Sequence, residues 1–303
     1  MRSDTTLDPK KYDLWGFDLD GTLYVGERPF PDALEWVNQL ARRGVAIAYI
    51  TNNPFRPPEA IAQRLARMGF PLRSPEPPHT TYPVLTAAVA AAQRMAELVP
   101  RGAPVLYVGS EGVRQALLEA GLEPVTRMAQ DPQGVVVGGT SEWDYAVITE
   151  AVRGVRAGLP FVVTNRDPIY PYTDGIRPGT GALVAAVETA GERRGELAGK
   201  PAPHLFRYAR RAFPEARQPI MVGDRLDTDV AGAHASGWAA LWLNRPESPR
   251  RRLGLTQAGD GPGPAGADGS PGDAAAEGGH QTAGGKTAGG KPFYESSHLA
   301  LKY

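Results

Sequence analysis

Cysteine is absent from this chain of 303 residues. Its absence excludes disulfide bonds, thiolate-bound zinc or iron–sulfur sites, and cysteine nucleophiles. A net charge is absent too, because 33 Lys and Arg residues balance 33 Asp and Glu residues. A neutral chain has no overall attraction to nucleic acids or to acidic membranes, so neither is an expected partner.

Long apolar stretches are also missing. No run approaches the ~18 apolar residues of a membrane-spanning helix. The polar residues 1–11 contain no apolar core of a signal peptide, so we expect a cytoplasmic protein. Hydrophobic residues nevertheless make up 42% of the chain, which is enough for a sizeable folded core.

One segment differs in composition from the rest. Residues 259–291 contain 12 Gly and 7 Ala but no Val, Ile, Leu, Met, Phe, Tyr or Trp. Such a segment cannot bury enough apolar surface to offset the entropy lost on ordering, so we predict a disordered tail over residues 256–303. Residues 292–303 regain apolar side chains, and composition leaves open whether they dock on the fold, bind a partner or simply end the chain.

Residues 12–255 alternate apolar runs with helix-like patterns. Runs such as 12–17, 45–50 and 220–222 are candidate buried strands, and patterns such as 31–43 are candidate helices. This alternation predicts an α/β fold with a doubly wound parallel sheet. Sheets of this type carry their functional sites at the carboxyl ends of the strands.

Acidic residues follow two of these apolar runs. Asp18 and Asp20 come after the first run and would point to the same side of an extended segment. Two like charges on one side require a cation or a shared proton, and Mg²⁺ suits carboxylate oxygens. Asp224 follows the run 220–222 and would add a third carboxylate. The alternative is an ordinary turn after each strand, which two such strand ends together make less plausible.

Two further groups suit a phosphate. Lys200 is the one lysine between Lys11 and Lys286, and its compact charge fits a phosphate oxygen beside a carboxylate. Thr51 and Asn52 follow the second apolar run and offer a hydroxyl, an amide and backbone N–H groups. The alternatives are a surface lysine left by chance and an Asx turn.

Taken together, these groups resemble the four motifs of the haloacid dehalogenase superfamily of phosphatases. The matches are Asp18 with Asp20 for the first motif, Thr51 for the second, Lys200 for the third, and Asp224 with Asp229 for the fourth. The resemblance covers residues 12–245 and is closest to the 4-nitrophenylphosphatase, phosphoglycolate phosphatase and NagD-like branch.

The resemblance implies a role for each catalytic residue. Asp18 would attack phosphorus and form an aspartyl-phosphate. Asp20 would protonate the leaving oxygen and then activate the attacking water. Thr51 and the backbone N–H of Asn52 would hold the phosphoryl group, while Lys200 would neutralise both the phosphate and Asp18.

The resemblance also implies Mg²⁺ as the cofactor. The Asp18 carboxylate, the Asp20 backbone carbonyl and Asp224 would bind it, and Asp229 would hold a water of the site. We further expect the ionised Asp18 to raise the pKa of Asp20, so that Asp20 keeps its proton.

The spacing of the motifs predicts an inserted domain. Asn53 and Lys200 are separated by 146 residues, whereas one βα unit needs only ~30. We assign the excess to a domain over residues 80–180, between core parts at 1–79 and 181–255, and the resemblance implies that this domain is an α/β cap. Such a cap would cover the strand ends and exclude bulk water.

The cap loops are expected to select the substrate. Asn165 and Asp167 follow a candidate strand, and the resemblance places their loop near the substrate. The alternative for this loop is a polar turn. We therefore name Asn165 and Asp167 as candidate specificity residues.

The predicted function is a Mg²⁺-dependent phosphatase acting on a small phosphorylated metabolite. Phosphoglycolate, sugar phosphates, nucleotides and pyridoxal phosphate all fit this description. Two alternatives stay open: a phosphotransferase on the same fold, and a regulatory protein that binds a phosphometabolite without turnover. The regulatory protein predicts a lesion in the motifs, and none is present. The resemblance also allows a homodimer.

Overall fold

The structure is a computed structural model that describes residues 7–73, 81–172, 175–245 and 292–296. Its strands are β1 (Leu14–Phe17), β2 (Tyr24–Val25), β3 (Arg28–Pro29), β4 (Ala46–Thr51), β5 (Val84–Thr86), β6 (Pro104–Val108), β7 (Glu123–Val125), β8 (Gly134–Val137), β9 (Phe161–Val163), β10 (Ile169–Tyr172), β11 (Gly175–Pro178), β12 (Glu196–Leu197), β13 (Pro219–Gly223), β14 (Ala239–Leu243) and β15 (Phe293–Ser296). Its α-helices are α1 (Pro31–Arg42), α2 (Pro58–Arg67), α3 (Ala87–Ala96), α4 (Glu111–Glu119), α5 (Tyr145–Arg156), α6 (Thr180–Gly191), α7 (His204–Ala212) and α8 (Ala231–Ala235). Within these ranges, none of the helices combines the length and apolar character needed to span a bilayer.

The core sheet is parallel throughout, in the order β15-β14-β13-β1-β4-β5. Every residue of β1, β4 and β13 is buried, as expected for strands covered by helices on both faces. The predicted α/β fold with a doubly wound parallel sheet is confirmed. Because β1 lies between β4 and β13, the carboxyl ends of these three strands are neighbours at one edge.

A second parallel sheet, in the order β12-β9-β8-β6-β7, forms the cap. Its limits differ from the predicted range 80–180. The strand β5 pairs with β4 in the core sheet, whereas β12, which follows residue 180, pairs with β9 in the cap sheet. Strands of three and two residues are too short to show a periodic pattern, so the sequence did not place them.

The helix α3 connects the two sheets. It packs against α4 of the cap and against α7 of the core. Ala90, Ala91 and Ala92 are buried there, and their small side chains allow close helix packing. The Thr86 hydroxyl caps the start of this helix by accepting a hydrogen bond from the backbone N–H of Val89 at 3.2 Å. Apolar side chains of α3 therefore form part of the contact between cap and core.

The edge strand β15 lies in the segment predicted to be disordered. It pairs in parallel with β14, and the Tyr294 hydroxyl lies 2.9 Å from the Tyr12 hydroxyl in the interior. The prediction of a disordered tail over residues 256–303 is wrong for 293–296, while residues 256–291 and 297–303 lie outside the described ranges. The reason is local composition, since two aromatic residues supply the apolar surface that the preceding segment lacks.

Replacing Tyr294 by alanine should destabilise the protein. Tyr294 is 7% exposed, so its removal leaves a cavity and deprives the Tyr12 hydroxyl of its partner. We expect the free energy of unfolding to fall by about 3 kcal/mol, measured by urea denaturation. The control is Phe293→Ala on the opposite face of the same strand, where the ring is 43% exposed and the expected loss is about 1 kcal/mol or less. Equal losses for the two variants would show that Tyr294 does not anchor the strand.

Candidate active site

The carboxyl ends of three adjacent core strands bring the predicted motifs together. Asp18 follows β1, Thr51 ends β4 and Asp224 follows β13. Lys200 reaches the same edge from the loop that precedes α7. Parallel pairing places these strand ends side by side although the motifs are far apart in sequence.

The ammonium of Lys200 lies at the centre of this site. Its Nζ is 2.7 Å from Oδ1 of Asp18, 2.7 Å from Oδ1 of Asp229 and 2.9 Å from the carbonyl oxygen of Ile50. Each of its three N–H donors thus has an oxygen acceptor. Burial opposes the charge, but the two carboxylates outweigh it and raise the pKa of Lys200 above its ordinary value. Lys200 is therefore a protonated point charge in contact with the predicted nucleophile.

Three buried carboxylates form a candidate Mg²⁺ site. Oxygen atoms of Asp18, Asp224 and Asp229 lie within 4.8 Å of one another. Burial raises the pKa of Asp229 to about 6, although the nearby ammonium opposes this shift. One lysine cannot balance three carboxylates, and hard oxygen donors in this number suit a divalent cation. The donor set therefore fits Mg²⁺.

Two glycines lie so close to these carboxylates that a side chain at either position would collide with them. Gly21 has a φ of +88°, and a Cβ at this position would lie 2.5 Å from Oδ2 of Asp224. At Gly223, a Cβ would overlap the carboxylate of Asp229. The indole N–H of Trp242 also donates a hydrogen bond to the carbonyl oxygen of Asp224 at 3.0 Å. The backbone of the first and fourth motifs is therefore shaped for close approach of acidic groups.

Asp20 has different surroundings from Asp18. Asp20 is exposed, whereas Asp18 is buried. Protein atoms still crowd the Asp20 carboxyl, and this desolvation raises its pKa. The guanidinium of Arg64 and a hydrogen bond from the Asn53 side chain lower it in part. A carboxyl that is accessible and has a raised pKa suits proton transfer.

The cause of this shift differs from the expected one. We assigned the raised pKa of Asp20 to repulsion from the ionised Asp18. In the structure, desolvation is the main cause, and the like charge that contributes is Glu27. The repulsion between the two carboxyls instead contributes, after burial, to raising the pKa of Asp18, which its contact with Lys200 lowers in part.

Thr51 and Asn52 are held at the same edge by hydrogen bonds, one within the loop and two to Lys200. The Thr51 hydroxyl accepts a hydrogen bond from the backbone N–H of Asn53 at 3.1 Å. The Asn52 side chain binds the backbone of Lys200 twice, donating to its carbonyl oxygen at 2.9 Å and accepting from its N–H at 2.7 Å. The Asn52 side chain therefore positions the lysine, which its place in the sequence did not indicate.

The two cap residues predicted to select the substrate are buried against the core. Asn165 donates a hydrogen bond from Nδ2 to the carbonyl oxygen of Asn52 at 2.8 Å. The carboxylate of Asp167 forms an ion pair with Arg225. The polar groups of both side chains thus join the cap loop to the core.

Sequence reasoning missed three polar residues around the motifs. Asn53 and Arg64 act on the carboxyl of Asp20, and Arg225 contacts the cap. Asn53 and Arg225 directly follow motif residues, and that adjacency was the available indication. Arg64 lies on α2, and its sequence position contains no indication of the site.

Two family models match this chain. The model described as haloacid dehalogenase-like hydrolase matches residues 15–123, which include the first two motifs. A second model of HAD-like hydrolases matches residues 197–257, which include the last two. The matched segments lie on either side of most of the cap.

The chain is similar to several characterised proteins. It is 36% identical over 234 residues to the D-glycerol 3-phosphate phosphatase of Mycobacterium tuberculosis, covering 77% of this chain and 63% of that protein. It is 39% identical over 236 residues to chronophin of Rattus norvegicus, covering 74% of each chain. The crystal structure of a glycerol phosphate phosphatase from M. tuberculosis in complex with magnesium has a TM-score of 0.69 at 36% identity, covering 77% of this chain and 68% of that one. This chain spans less than two thirds of the full length of the first of these relatives.

Proposed function

Because this chain belongs to the haloacid dehalogenase-like hydrolase family, we propose that it is a Mg²⁺-dependent phosphatase of small phosphate monoesters. The observation that carries the proposal is the contact of Lys200 with Asp18 inside a cluster of three carboxylates. Phosphoryl transfer is catalysed mainly by positioning and by neutralising charge, and this cluster is arranged for both.

In the proposed first step, a carboxylate oxygen of Asp18 attacks phosphorus. The bond from phosphorus to the leaving oxygen breaks, and an aspartyl-phosphate forms. Lys200 binds Oδ1 of Asp18 at 2.7 Å, and the Thr22 hydroxyl donates to Oδ2 at 3.3 Å, so the nucleophile is oriented at both oxygens. Covalent catalysis of this kind divides one difficult displacement into two easier ones.

Asp20 moves the proton in both steps. It gives its proton to the leaving oxygen in the first step, and its raised pKa keeps that proton available. In the second step it takes a proton from the water that attacks the aspartyl-phosphate. Phosphate leaves and the Asp18 carboxylate is regenerated.

The phosphoryl group is proposed to bind between the second and third motifs. The Thr51 hydroxyl and the Asn52 backbone N–H would donate to its oxygens, and the Lys200 ammonium would offset their charge. Asp18, Asp224 and the Asp20 backbone carbonyl would hold the metal, and Asp229 would hold a water bound to it. When bound, Mg²⁺ neutralises negative charge on the phosphoryl oxygens.

The cap covers this edge of the core sheet, which favours a small substrate. The name of the M. tuberculosis relative adds glycerol 3-phosphate to the panel of phosphoglycolate, sugar phosphates, nucleotides and pyridoxal phosphate. A cytoplasmic location and a homodimer formed through the cap are further parts of the proposal. Initial rates over the panel would identify the preferred ester, and light scattering would give the oligomeric state.

Chelation of the metal should stop hydrolysis. We expect the protein to release 4-nitrophenol from 4-nitrophenyl phosphate in the presence of Mg²⁺. Excess EDTA should lower the rate by about 10²-fold or more, because the charge on the phosphoryl oxygens is no longer offset. Adding back Mg²⁺ should restore the rate.

The control for chelation is the thermal unfolding curve, which should show a folded protein with and without EDTA. Full activity of the metal-free protein would contradict the proposed role of the three carboxylates. A folded, Mg²⁺-loaded protein that hydrolyses neither 4-nitrophenyl phosphate nor any ester of the panel would contradict the phosphatase proposal itself.

A further inference from the structure

The side chain of Arg225 connects the core to the cap. Its Nε and Nη2 bind the two carboxylate oxygens of Asp227 at 3.0 and 2.7 Å, within the loop of the fourth motif. Its Nη1 forms an ion pair with Asp167, which lies on the cap loop after β9. The backbone N–H of Arg225 also donates to Oδ2 of Asp229 at 3.1 Å. One residue thus binds both a carboxylate of the candidate metal site and the cap.

The contacts continue from the cap loop back to the core. The backbone N–H of Asp167 donates to Oδ1 of Asn165 at 3.1 Å. Asn165 in turn donates from Nδ2 to the carbonyl oxygen of Asn52, whose side chain holds the backbone of Lys200 on both sides. A continuous series of hydrogen bonds therefore runs from the fourth motif, through the cap, to the second and third motifs.

Burial makes the ion pair of this series costly to break. Asp167 is 7% exposed, and the Arg225 side chain is 14% exposed. Loss of Arg225 would leave the Asp167 carboxylate as a poorly solvated, unpaired charge, whereas loss of Asp167 would leave Arg225 paired with Asp227 alone. The planar guanidinium binds Asp227 with two of its nitrogens and pairs with Asp167 of the cap through the third. A lysine has a single nitrogen on a flexible chain and could not hold both carboxylates in this way.

We propose that Arg225 and Asp167 are positioning residues for the phosphatase reaction, a role that rests on the function proposed above. Their ion pair fixes the cap loop, residues 164–167, against the core. Through Asn165 and Asn52 the loop keeps Lys200 in contact with Asp18. Arg225 and Asp167 act on the reaction through these neighbours, without contact with the reacting atoms.

The kinetic test compares Arg225→Gln, Asp167→Asn and the double variant. A displaced Lys200 would weaken stabilisation of the transition state, so we expect Arg225→Gln to lower kcat by about tenfold or more. KM should change by a smaller factor than kcat, since the phosphate-binding hydroxyl and backbone N–H groups are still present while the contact of Lys200 with Asp18 is lost. The double variant should be no slower than Arg225→Gln, because both changes break the Arg225–Asp167 pair and only Arg225→Gln also breaks the pair with Asp227.

Arg166→Gln is the matched control. Arg166 lies on the same loop, but its ion pair with Glu188 at 2.7 Å and its hydrogen bond to the Gly195 carbonyl stay inside the cap. Loss of these contacts should lower the melting temperature while kcat stays within about twofold. When Arg166→Gln is combined with Arg225→Gln, the separate effects of the two substitutions on kcat should multiply.

Amide hydrogen exchange tests the connection between Arg225, the cap loop and residues 51–53 without an activity measurement. In Arg225→Gln we expect faster exchange in residues 164–167 and 51–53, with unchanged exchange in β6 of the cap sheet. An unchanged kcat, multiplying effects of Arg225→Gln and Asp167→Asn, or unchanged exchange in both loops would overturn the inference. If the wild-type protein hydrolyses no ester, the proposed function fails, and the exchange experiment still decides whether Arg225 holds the loop.

Discussion

Asp18→Asn should abolish phosphatase activity. Asparagine keeps the shape of the side chain but removes the charge and the nucleophilic oxygen, so the aspartyl-phosphate cannot form. We expect kcat to fall by about 10⁴-fold or more, as for other nucleophiles of covalent catalysis. The measurement is hydrolysis of 4-nitrophenyl phosphate at saturating Mg²⁺.

The fold should survive this substitution. Lys200 keeps its contacts with Asp229 and with the Ile50 carbonyl, and one of three crowded carboxylates is removed. The melting temperature should therefore stay close to that of the wild type. Asp131→Asn is the matched control, since Asp131 is exposed at a φ of 52°, which asparagine adopts readily, and kcat should not change.

Mass spectrometry provides a second readout for the nucleophile. Wild-type protein quenched in acid during turnover should contain a fraction with one added phosphoryl group. Peptide mapping should place that group on Asp18, and Asp18→Asn should lack it. Substantial turnover by Asp18→Asn, or a phosphoryl group on another residue, would mean that the nucleophile has been assigned incorrectly.

Lys200→Met should reduce kcat by about 10³-fold. Methionine fills a similar volume but cannot offset charge on Asp18 or on the phosphoryl oxygens. Lys200 is 2% exposed, so solvent cannot compensate for the missing ammonium. Lys11→Met on the surface is the matched control and should leave kcat unchanged.

The response to Mg²⁺ separates an electrostatic role of Lys200 from simple damage to the fold. In Lys200→Met, the carboxylates of Asp18, Asp224 and Asp229 repel one another without a nearby cation. Mg²⁺ should therefore raise the melting temperature of the variant by more than that of the wild type. Equal increases would show that Lys200 is not electrostatically coupled to these carboxylates.

Much of the candidate site could be predicted because each motif is a local feature. Asp18, Thr51 and Asp224 stand at the ends of apolar runs, and a run with its terminal polar residue is visible within a few positions of the chain. Parallel pairing then places the strand ends together, which general rules of α/β topology anticipate. Lys200 was found by composition, as an isolated lysine among arginines.

The limits of the domains could not be predicted, because the strands that mark them are too short to show a hydrophobic pattern in the sequence. The strands β5 and β12 contain three and two residues, and their place is decided by the neighbour to which they hydrogen-bond. The strand β15 follows a Gly- and Ala-rich segment and was assigned to a tail with it. The pairing of β15 with β14 and the contact of Tyr294 with Tyr12 show that this strand belongs to the core.

The sequence by itself determined the α/β class and the residues that gather at one edge of the sheet, because these follow from local pattern and spacing; the family came from the resemblance of the motifs. Tertiary structure alone decided the surroundings of those residues. It made desolvation the main cause of the raised pKa of Asp20, brought Arg64 beside that carboxyl, and turned Asn165 and Asp167 toward the core. The physical reason is that burial and charge partners depend on distances in space, and side chains that meet across the interface between cap and core leave no periodic trace along the chain.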